Sequence, residues 1–345
     1  MSWFSMELFG IKFAPLNVPL ERRLQTLAAS CWFVILAFGN VYCTIITLYL
    51  LLFTRLRWLM VAYLMWIWID RNTCNRGSRR SHWVRNWKWW HYFRDFFPLR
   101  LVKTVDLDPN RNYLFAVYPH GVLSSGAYGS FATDVTGFHA NFPGITPYIL
   151  TLHPHFMTPF LRELPLALGS CSASSESIDY LLGSPGTGRA ACLIVGGASE
   201  ALESKPGTYR IILKRRKGFI RLAIKHGAPL VPVFSFGETD IFDQMDNPEG
   251  SWLRWLQKRC QKITGVAPVV PIGRGWFQYS FGLCPRRSPV TTVVGKPLEV
   301  KKNPEPTKEE IDAVHQEFTK CLVALFEDNK HKYLKNAENI SLEIF

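Results

Sequence analysis

The longest uncharged segment of the chain lies near its start. From Leu24 to Thr54 there is no charged residue, and the run CWFVILAFGNVYCTIITLYLLLF is mostly apolar. About 20 such residues in a helix cross the hydrocarbon core of a bilayer. Two arginines end this run, and a second apolar stretch, WLMVAYLMWIWI, follows at 58–69. Although the second stretch is short for a span and needs tilt or a shifted border to cross, the pattern predicts a membrane hairpin over residues 24–69.

Positive charge is distributed unevenly around this hairpin. Two arginines precede it and two, Arg55 and Arg57, occupy its turn. Seven basic residues follow it, namely Arg71, Arg76, Arg79, Arg80, Arg85, Lys88 and Arg94. Since cytoplasmic loops carry an excess of Lys and Arg, we predict that both ends of the hairpin are cytosolic. Residues 70–98 also hold four tryptophans and are predicted to lie at the membrane interface, with arginines reaching lipid phosphates.

The apolar run is less compatible with a signal peptide or with a soluble helix pair. A cleaved signal peptide fits poorly because the run starts late, is too long and lacks a small-x-small cleavage site. A buried pair of helices in a soluble domain is the second alternative. The tripeptide NIS at Asn339 is a glycosylation sequon, but the predicted topology keeps it away from the lumen.

Beyond Pro98 the pattern changes to short apolar runs that glycine or proline closes. YLFAVYP, ACLIVGG, PLVPVFSFG and TTVVGKP are typical of buried strands. Helical patterns lie between and after them. Strands that alternate with helices predict an α/β domain with a mixed, mostly parallel sheet covered by helices. The predicted organisation is a cytosolic tail (1–23), the hairpin (24–69), the interface segment (70–98) and a cytosolic α/β domain (99–345).

Charge and aromatic content narrow the classes of partner. Forty lysines and arginines against 27 acidic residues give a net charge of +13, which favours nucleic acid, an anionic membrane surface or a phosphorylated substrate. Twelve tryptophans suit a membrane interface. Because the basic residues flank an apolar membrane run and no nucleic-acid recognition fold is evident, we expect no nucleic-acid partner. The eight cysteines form no CxxC pair and no zinc-type cluster, which predicts a reduced, cytosol-facing domain without a metal site.

Three short motifs match functional patterns but lack the necessary context. GTGRAA at 186–191 fits a dinucleotide-binding string, but it opens a strand, whereas that motif must follow one. GASEA at 197–201 nearly spells a nucleophile elbow, but its last residue is Ala201. A lipase built on Ser199 would also need a later acid and histidine. The HPH triplet at 153–155 has no third ligand, so surface or interface residues are favoured over a metal pair.

The strand-like run at 112–118 ends abruptly in Tyr-Pro-His-Gly. The carboxyl ends of strands in α/β domains are where reactive groups are displayed. Pro119 fixes the backbone before His120, and Gly121 lets a substrate approach the main chain closely. An imidazole titrates near neutrality, so it can take a proton from an alcohol while the alcohol attacks. A structural histidine is the usual alternative for a lone His, and the neighbouring sequence decides between the two.

The blocks that follow His120 occur in a distinctive order. LIVGGASEALESKPG is followed by LKRRKGFIRLAIKHGAPLVPVFSFGE, and later by VVPIGRGWFQYSFG and TTVVGKPLEV. Together with RRSHWVRNWKWWHYFRDFFPLRLVKT, these blocks resemble the type-2 diacylglycerol acyltransferase family, which includes the monoacylglycerol and wax-alcohol acyltransferases. The resemblance covers most of the chain. It implies a glycerolipid-acyltransferase-like domain that transfers a fatty acyl group from acyl-CoA to a lipid hydroxyl, at the endoplasmic reticulum membrane and lipid droplets.

The resemblance also implies roles for single residues. His120 matches the catalytic histidine of the family's His-Pro-His-Gly motif, in which Tyr118 here replaces the first histidine. Related glycerolipid acyltransferases use His-x4-Asp, but Ser125 stands at the position of the aspartate. GGASE matches the family's Gly-Gly-x-x-Glu block. Glu200 is therefore the acid that the resemblance puts forward, as a partner of the histidine or as a contact to substrate.

Fixed positive charge is available for the phosphates of coenzyme A. A basic run adjoins the predicted start of a helix, where free backbone amides favour anions. The residues are Lys214, Arg215, Arg216, Lys217, Gly218 and, one turn further on, Arg221. A solvated or lipid-facing basic surface is the alternative. For lipid chains, the family's Phe-Leu-x-Leu motif is matched only in part by FVIL, from Phe33 to Leu36.

These residues predict a direct acyl transfer. His120 is predicted to remove the proton of the acceptor hydroxyl, which attacks the thioester carbonyl of acyl-CoA, while Glu200 orients and stabilises the imidazolium. Backbone N–H groups near Gly121, with Arg274 of the turn GRG, are predicted to hold the oxyanion. A thioester is already activated, so acyl-CoA serves as co-substrate and the reaction requires no cofactor, metal or acyl-enzyme.

Several alternatives stay open at this point. Diacylglycerol is the preferred acceptor, with monoacylglycerol or a long-chain alcohol as alternatives, because the motifs are shared across the family. A noncatalytic protein that coats membranes or lipid droplets would explain the hairpin and the basic aromatic segment, but not the Tyr-Pro-His-Gly and glycine-rich blocks. The acyl-chain preference is open, as is the formation of a homo-oligomer.

Overall fold

The computed structural model describes residues 7–15 and 17–345. Its helices are α1 (Leu20–Phe53), α2 (Arg57–Ile69), α3 (His82–Arg85), α4 (Lys88–Phe96), α5 (Ser125–Ala127), α6 (Phe138–Asn141), α7 (Pro154–Met157), α8 (Glu163–Leu168), α9 (Ser175–Gly183), α10 (Gly197–Ala201), α11 (Gly218–His226), α12 (Trp252–Thr264) and α13 (Lys308–Tyr333). Its strands are β1 (Glu7–Leu8), β2 (Ile11–Lys12), β3 (Arg100–Lys103), β4 (Tyr113–Tyr118), β5 (Thr146–Thr151), β6 (Cys171–Ser172), β7 (Arg189–Ile194), β8 (Tyr209–Ile211), β9 (Leu230–Phe236), β10 (Asp243–Gln244), β11 (Pro271–Ile272), β12 (Thr291–Val294) and β13 (Leu342–Ile344). A π-helical turn, Tyr128–Ala132, continues from α5.

A seven-stranded sheet organises the domain, in the order β3-β12-β9-β4-β7-β5-β6. The strands from β9 to β6 in this order run parallel, whereas β12 is antiparallel to β9 and β3 is parallel to β12. The predicted mixed, mostly parallel sheet is therefore confirmed. The central strand is β4, and all six of its side chains are buried. An unbroken apolar run is what a strand covered on both faces requires.

Helices cover both faces of this sheet, and a hydrophobic core lies on each side. On one face, the beginning of α1, α4 and the segment from α5 to α6 form a core that includes Trp32. On the other face, α9, α11 and α13 enclose a second core that includes Phe326. Phe115 of β4 belongs to the first core and Leu114 to the second, as the alternation of strand side chains dictates. The end of β4 is thus fixed from both sides.

Helix α1 divides into a buried part and an exposed part. Its 34 residues extend about 51 Å at 1.5 Å per residue. Trp32 and Phe33 are buried in the core, whereas most large apolar side chains from Val41 to Phe53 are exposed. Among the described residues, α1 is the helix whose length and apolar composition fit a membrane span. The predicted first span is present as a helix, but its beginning packs inside the domain.

Helix α2 is the second arm of the hairpin and packs against α1. Its 13 residues extend about 20 Å, which is less than the roughly 30 Å of a hydrocarbon core. Most of its large apolar side chains, Trp58 and Trp68 among them, are exposed. Asp70, directly after α2, accepts a hydrogen bond from the buried guanidinium of Arg162 at 2.6 Å. Both arms of the hairpin are therefore attached to the α/β domain.

The segment 70–98 lies deeper in the protein than its composition predicts. Trp90 is 3% exposed and Arg85 is fully buried. The guanidinium of Arg85 donates to four backbone carbonyls and to the carboxylate of Asp134. The prediction of a lipid-facing position is wrong for these two residues, because α3 and α4 pack against α1 and against the chain around Asp134. Trp83 is 75% exposed, and this exposure is compatible with the predicted position at a membrane interface.

Candidate active site

His120 stands at the centre of the carboxyl edge of the sheet, two residues after the end of β4. Its Nδ1 lies 2.9 Å from the backbone carbonyl of Gly121. Because a carbonyl oxygen can only accept, Nδ1 carries the ring proton and Nε2 keeps its lone pair. Burial lowers the pKa of His120, and the hydrogen bond to Gly121 opposes this effect less strongly. The ring is therefore neutral at neutral pH and presents Nε2 as a base.

Glu200 reaches His120 from α10, which follows β7, the neighbour of β4. Its Oε1 accepts the backbone N–H of His120 at 2.6 Å, and its Oε2 accepts that of Ile212 at 2.7 Å. Glu200 is 1% exposed, and burial raises its pKa to about 7. A Cβ on Gly196 would collide with this carboxylate. Glu200 thus holds the main chain of His120, whereas the predicted contact is to the ring; the ring has the Gly121 carbonyl as its partner instead.

A second buried carboxylate, Glu238, holds the other end of the same loop. It follows β9, which flanks β4 on the side opposite to β7. Its Oε1 accepts the N–H of Ser125 and its Oε2 that of Gly126, both at 2.7 Å. Glu238 is 1% exposed, and burial raises its pKa to about 7. The sequence motifs do not single out Glu238, although an acid that directly follows the strand PLVPVFSFG is placed at the same sheet edge as His120.

The backbone at Gly121, the predicted oxyanion position, carries N–H groups without a partner in the described chain. Gly121 has a φ of +60°, a backbone conformation that favours glycine. Across residues 7–15 and 17–345, no group accepts a hydrogen bond from the N–H of Gly121 or Val122. Unpaired backbone N–H groups beside a base are suited to a developing oxyanion.

Arg274, the second residue predicted for the oxyanion, makes its contacts with other parts of the molecule. Its Nη2 donates to the hydroxyl of Thr26 in α1 at 3.0 Å. Its guanidinium lies over the rings of Phe96 and Tyr279, at 5.4 and 5.0 Å from their centroids. These contacts place Arg274 against the beginning of α1 and the end of α4, and they do not join it to His120.

The basic residues predicted to bind phosphate surround the start of α11, which begins at Gly218. Lys217 is paired, since its Nζ lies 2.5 Å from the carboxylate of Asp312 in α13. Three others are exposed, namely Lys214, Arg215 and Arg221. Exposed positive charge at a helix N-terminus is suited to a phosphate group.

Two arginines connect this basic group with the turn before Glu200 and with a neighbouring cleft. Arg216 donates from Nη2 to the backbone carbonyl of Gly196 at 3.1 Å, in the turn that leads to Glu200. Arg215 lines a cleft of about 1190 Å³ together with Ser199 of α10 and residues of α12. A cleft of this size accommodates a ligand as large as a nucleotide. The basic run therefore adjoins both the turn that leads to Glu200 and a cavity of suitable size.

Comparison with known proteins identifies the family. A family model described as "Diacylglycerol acyltransferase" matches residues 49–344. The chain belongs to the diacylglycerol acyltransferase family. The 2-acylglycerol O-acyltransferase 1 of Bos taurus is 46% identical over 94% of this chain and 96% of its own length. The diacylglycerol O-acyltransferase 2 of Homo sapiens is 44% identical over 91% of this chain and 81% of its own length.

A solved structure also matches this member of the diacylglycerol acyltransferase family. It is the 1-acyl-sn-glycerophosphate acyltransferase from Thermotoga maritima, which is 13% identical with a TM-score of 0.35. The match covers 87% of this chain and 96% of the bacterial chain.

Two motifs that the family assignment does not use have ordinary surroundings. Ser199 is half-buried, and its hydroxyl accepts a hydrogen bond from the Gln261 amide at 2.7 Å; within the described chain it contacts no histidine. In the HPH triplet, Nδ1 of His153 lies 3.2 Å from the Ser172 hydroxyl. His155 is turned toward α1 instead. The two histidines have separate partners and do not share a ligand position.

The two residues of the partly matched lipid motif have different environments in this family member. Phe33 is 4% exposed, and its ring lies 5.4 Å from that of Phe242. Leu36 lines a small apolar pocket between α1 and α8. Phe33 is therefore part of the protein core, and Leu36 is the one of the two that faces a pocket.

Proposed function

We propose that this protein is an acyl-CoA-dependent O-acyltransferase that forms triacylglycerol from diacylglycerol and fatty acyl-CoA. The observation that carries the proposal is the His120 ring, whose Nε2 lone pair lies beside a loop with the unpaired N–H groups of Gly121 and Val122. A base next to an oxyanion site is what acyl transfer from a thioester to an alcohol requires. Family membership supports the acyl donor and the class of acceptor. Monoacylglycerol is the alternative acceptor, which the identity to 2-acylglycerol O-acyltransferases supports.

The transfer proceeds without a covalent acyl-enzyme. Nε2 of His120 takes the hydroxyl proton of the acceptor as the hydroxyl oxygen bonds to the thioester carbonyl carbon. The carbonyl oxygen becomes negative and is received by the N–H groups of Gly121 and Val122. When the intermediate collapses, the C–S bond breaks, and the coenzyme A thiolate takes the proton back from the imidazolium. The Gly121 carbonyl stabilises the imidazolium through the Nδ1–H throughout this cycle.

Glu200 and Glu238 act as positioning residues. Each accepts two hydrogen bonds, and three of the four donors are backbone N–H groups of the loop from His120 to Gly126. Because the carboxylates come from strands on either side of β4, they fix the loop from two directions. A misplacement of about 1 Å in such a site can lower the rate by roughly 100-fold.

The phosphates of acyl-CoA are proposed to bind at the basic run before α11. Arg215 and Arg216 are placed best for this role, because one lines the neighbouring cleft and the other contacts the turn before Glu200. Lys214, Lys217 and Arg221 contribute positive charge around the same helix start. In this arrangement the nucleotide lies in the cleft and the thioester reaches His120.

The reaction is proposed to take place at the endoplasmic reticulum membrane, with lipid droplets as a further location and both ends of the hairpin in the cytosol. The exposed apolar part of α1 supports attachment to lipid, and the excess of basic residues outside the hairpin turn supports the orientation. Such attachment holds the site where acyl chains and glycerides are concentrated.

Purified membranes that contain the protein test this function. They are supplied with one labelled acyl-CoA and, in separate reactions, with diacylglycerol, monoacylglycerol and a long-chain alcohol, and the lipid products are separated. We expect labelled triacylglycerol as the main product. In His120→Gln membranes, the protein is expected at the same level with product reduced to background. A His120→Gln protein with wild-type activity would contradict the mechanism, and the absence of any product from the wild type would favour a noncatalytic protein of the membrane surface.

A further inference from the structure

A small apolar pocket lies where α1 meets α8. Trp32 and Leu36 form its wall on α1, and Leu164 and Leu168 form its wall on α8. Its volume is about 20 Å³, which is enough for a group about the size of one water molecule. A carbonyl group fits this space, whereas a fatty chain does not. A lipid bound here is therefore held through one small group, while its chain lies outside.

One side chain of the pocket, His155, carries a hydrogen-bond donor without a partner in the described chain. Nδ1 of His155 lies 3.3 Å from the side-chain amide nitrogen of Asn40 in α1. An amide N–H can only donate, so Nδ1 is the acceptor and the ring proton is on Nε2. The Thr158 hydroxyl has two acceptors within reach, Oδ1 of Asn40 at 2.9 Å and the Pro154 carbonyl at 3.1 Å, and the shorter contact orients Asn40. In the described part of the chain, no group accepts from Nε2–H of His155.

Of the other polar groups of the pocket, the hydroxyls of Tyr128 and Thr151 are paired with each other, whereas the buried indole N–H of Trp32 has no partner in the described part of the chain. The hydroxyl of Tyr128 donates to Oγ1 of Thr151 at 2.8 Å. Burial lowers the pKa of His155, so its ring stays neutral and keeps a single N–H. An apolar space with two unused donors, Nε1–H of Trp32 and Nε2–H of His155, is suited to an acceptor atom on a lipid.

The pocket lies at the same carboxyl edge of the sheet as the candidate base His120. Thr151 ends β5, and β5 and β4 both pair with β7 in parallel. Leu193 of β7 pairs with Leu150 of β5 on one side and with Ala116 of β4 on the other, so these two residues lie at the same level along the strands. Two strand spacings separate the strand ends, about 10 Å in all. A glycerol backbone that contacts the imidazole of His120 at one end and that of His155 at the other covers this distance.

We propose that this pocket binds the ester carbonyl of the acylglycerol acceptor, with Nε2–H of His155 as the donor. The inference rests on the proposed function. We assign the carbonyl to the acceptor because the thioester carbonyl of acyl-CoA is the one attacked at His120, and the amide carbonyls of its pantetheine arm lie between that point and the nucleotide in the cleft at Arg215. A long-chain alcohol has no carbonyl to place here. The fatty chain of the acceptor then lies along the exposed part of α1, which begins beside the pocket. His155 is thus a specificity-determining residue that favours a glyceride over a plain alcohol.

The test compares two acceptors that differ only in their ester carbonyl groups. A 1,2-diacylglycerol and a 1,2-di-O-alkylglycerol of equal chain lengths have the same free hydroxyl, but one has esters and the other has ethers. Their kcat/KM values are measured with one labelled acyl-CoA in membranes that contain the full chain. We expect the wild type to prefer the ester by about three- to tenfold, which is what one hydrogen bond contributes. His155→Leu is expected to lower the ester value to that of the ether, and His155→Gln, which restores a side-chain N–H, is expected to recover the preference.

Other outcomes overturn the proposal in recognisable ways. Equal values for the two acceptors in the wild type would exclude a carbonyl contact. A decrease by the same factor for both acceptors in His155→Leu would show that His155 only attaches α7 to Asn40 of α1. An unchanged preference in His155→Leu would also exclude the role. If the wild type acylates neither glyceride, the proposed function itself fails, and this result is distinct from the other three.

Discussion

Glu238 lies so close to Gly121 that a Cβ on the glycine would stand 2.6 Å from Cγ of the glutamate. The two residues come from neighbouring strands, since Gly121 follows β4 and Glu238 follows β9. The position of the loop that carries His120 therefore depends on the absence of a side chain at Gly121, which leaves room for the buried side chain of Glu238. This dependence leads to the first prediction.

Gly121→Ala is expected to lower acyl transfer by about 100-fold, because the new methyl displaces Glu238 and moves the His120 loop by a fraction of an ångström or more. The labelled acyl-CoA assay in membranes measures the effect. Gly137→Ala is the matched control, since Gly137 also has a positive φ of 74° but nothing within 4 Å of an added Cβ. Both variants have the same backbone cost of roughly 1–2 kcal/mol, so similar activity in the two would contradict the proposed fit.

Glu238→Gln tests the carboxylate itself. The side-chain amide places an N–H opposite one of the two backbone N–H groups of Ser125 and Gly126, which leaves a buried donor unpaired at a cost of about 1–3 kcal/mol. We expect kcat to fall by roughly 10- to 100-fold, with the protein still present in membranes. Glu309→Gln, at an exposed position in the first turn of α13, serves as control and should retain full activity. Wild-type kcat in Glu238→Gln would rule out the positioning role.

Activity is expected to rise with pH through about 7. The pKa of both Glu200 and Glu238 is raised to about 7 by burial, so below this pH each is increasingly a neutral acid that no longer accepts two N–H groups well. The pKa of His120 is lowered, so protonation of the base sets in only below its ordinary value of 6.5. A profile of kcat/KM from pH 5.5 to 8.5 measures this rise in activity. Glu238→Gln should change the shape of the profile. A profile that is flat between pH 6.5 and 7.5 would contradict this prediction.

The free energy of unfolding is expected to decrease as pH rises, whereas the activity is expected to increase. A carboxyl whose pKa rises on folding from 4.5 to about 7 contributes stability that is fully present below about 4.5 and is lost as pH rises toward 7. The two buried acids should therefore lower the free energy of unfolding as pH increases across this window. Thermal unfolding of detergent-solubilised protein at pH 5 and at pH 7.5 measures the difference. Glu238→Gln, which cannot ionise, should show a smaller difference between the two conditions than the wild type.

Arg215→Gln is expected to raise KM for acyl-CoA roughly threefold to tenfold, because a phosphate loses one charged partner. The KM for the acylglycerol should not change. An acyl-pantetheine donor, which lacks the nucleotide, should show no difference between the variant and the wild type. Lys301→Gln removes an exposed charge of the same sign from another region and serves as control. An equal effect in both variants would indicate a general loss of positive charge rather than a binding site.

Ser199→Ala is expected to keep acyl-transfer activity within about twofold, because the serine only accepts a hydrogen bond from Gln261 and half-exposed substitutions of this kind have small effects. The same assay with a fluorophosphonate probe checks for a reactive serine. Labelling of the wild type at Ser199, together with loss of activity in Ser199→Ala, would support a hydrolase in place of an acyltransferase.

The position of His120 at the carboxyl edge of the sheet is predictable from the sequence because its signal is local. An apolar strand, a proline, a histidine and a glycine follow one another directly, and strand ends of this kind lie at the carboxyl edge of the sheet. Glu200 is found through a glycine-rich block that resembles a family motif, but the block does not reveal that the acid binds a peptide N–H instead of the ring. That choice depends on the rotation of the imidazole toward the Gly121 carbonyl, which no residue pattern encodes.

Glu238 and Arg85 show where sequence patterns fail. Glu238 acts on Ser125, 113 positions away in the chain, and the contact exists only because β9 and β4 are neighbours in the sheet. Arg85 lies in a segment rich in arginine and tryptophan, which by composition alone is typical of a membrane interface. The structure buries Arg85 against backbone carbonyls and Asp134, so its charge is used inside the fold. Long-range partners of this kind depend on topology rather than on local composition.

Helix α1 continues without a break from the core residues Trp32 and Phe33 into its exposed apolar part. No flexible segment separates the sheet edge that carries His120 from the exposed apolar part of α1. If that part enters a membrane as proposed, the rigidity of one helix sets the height and tilt of this edge above the lipid surface. A water-soluble form of the enzyme therefore cannot be obtained by deleting the helix, because the deletion would also take Trp32 out of the core. It would have to be made by replacing the outward-facing side chains beyond Leu36 with polar ones.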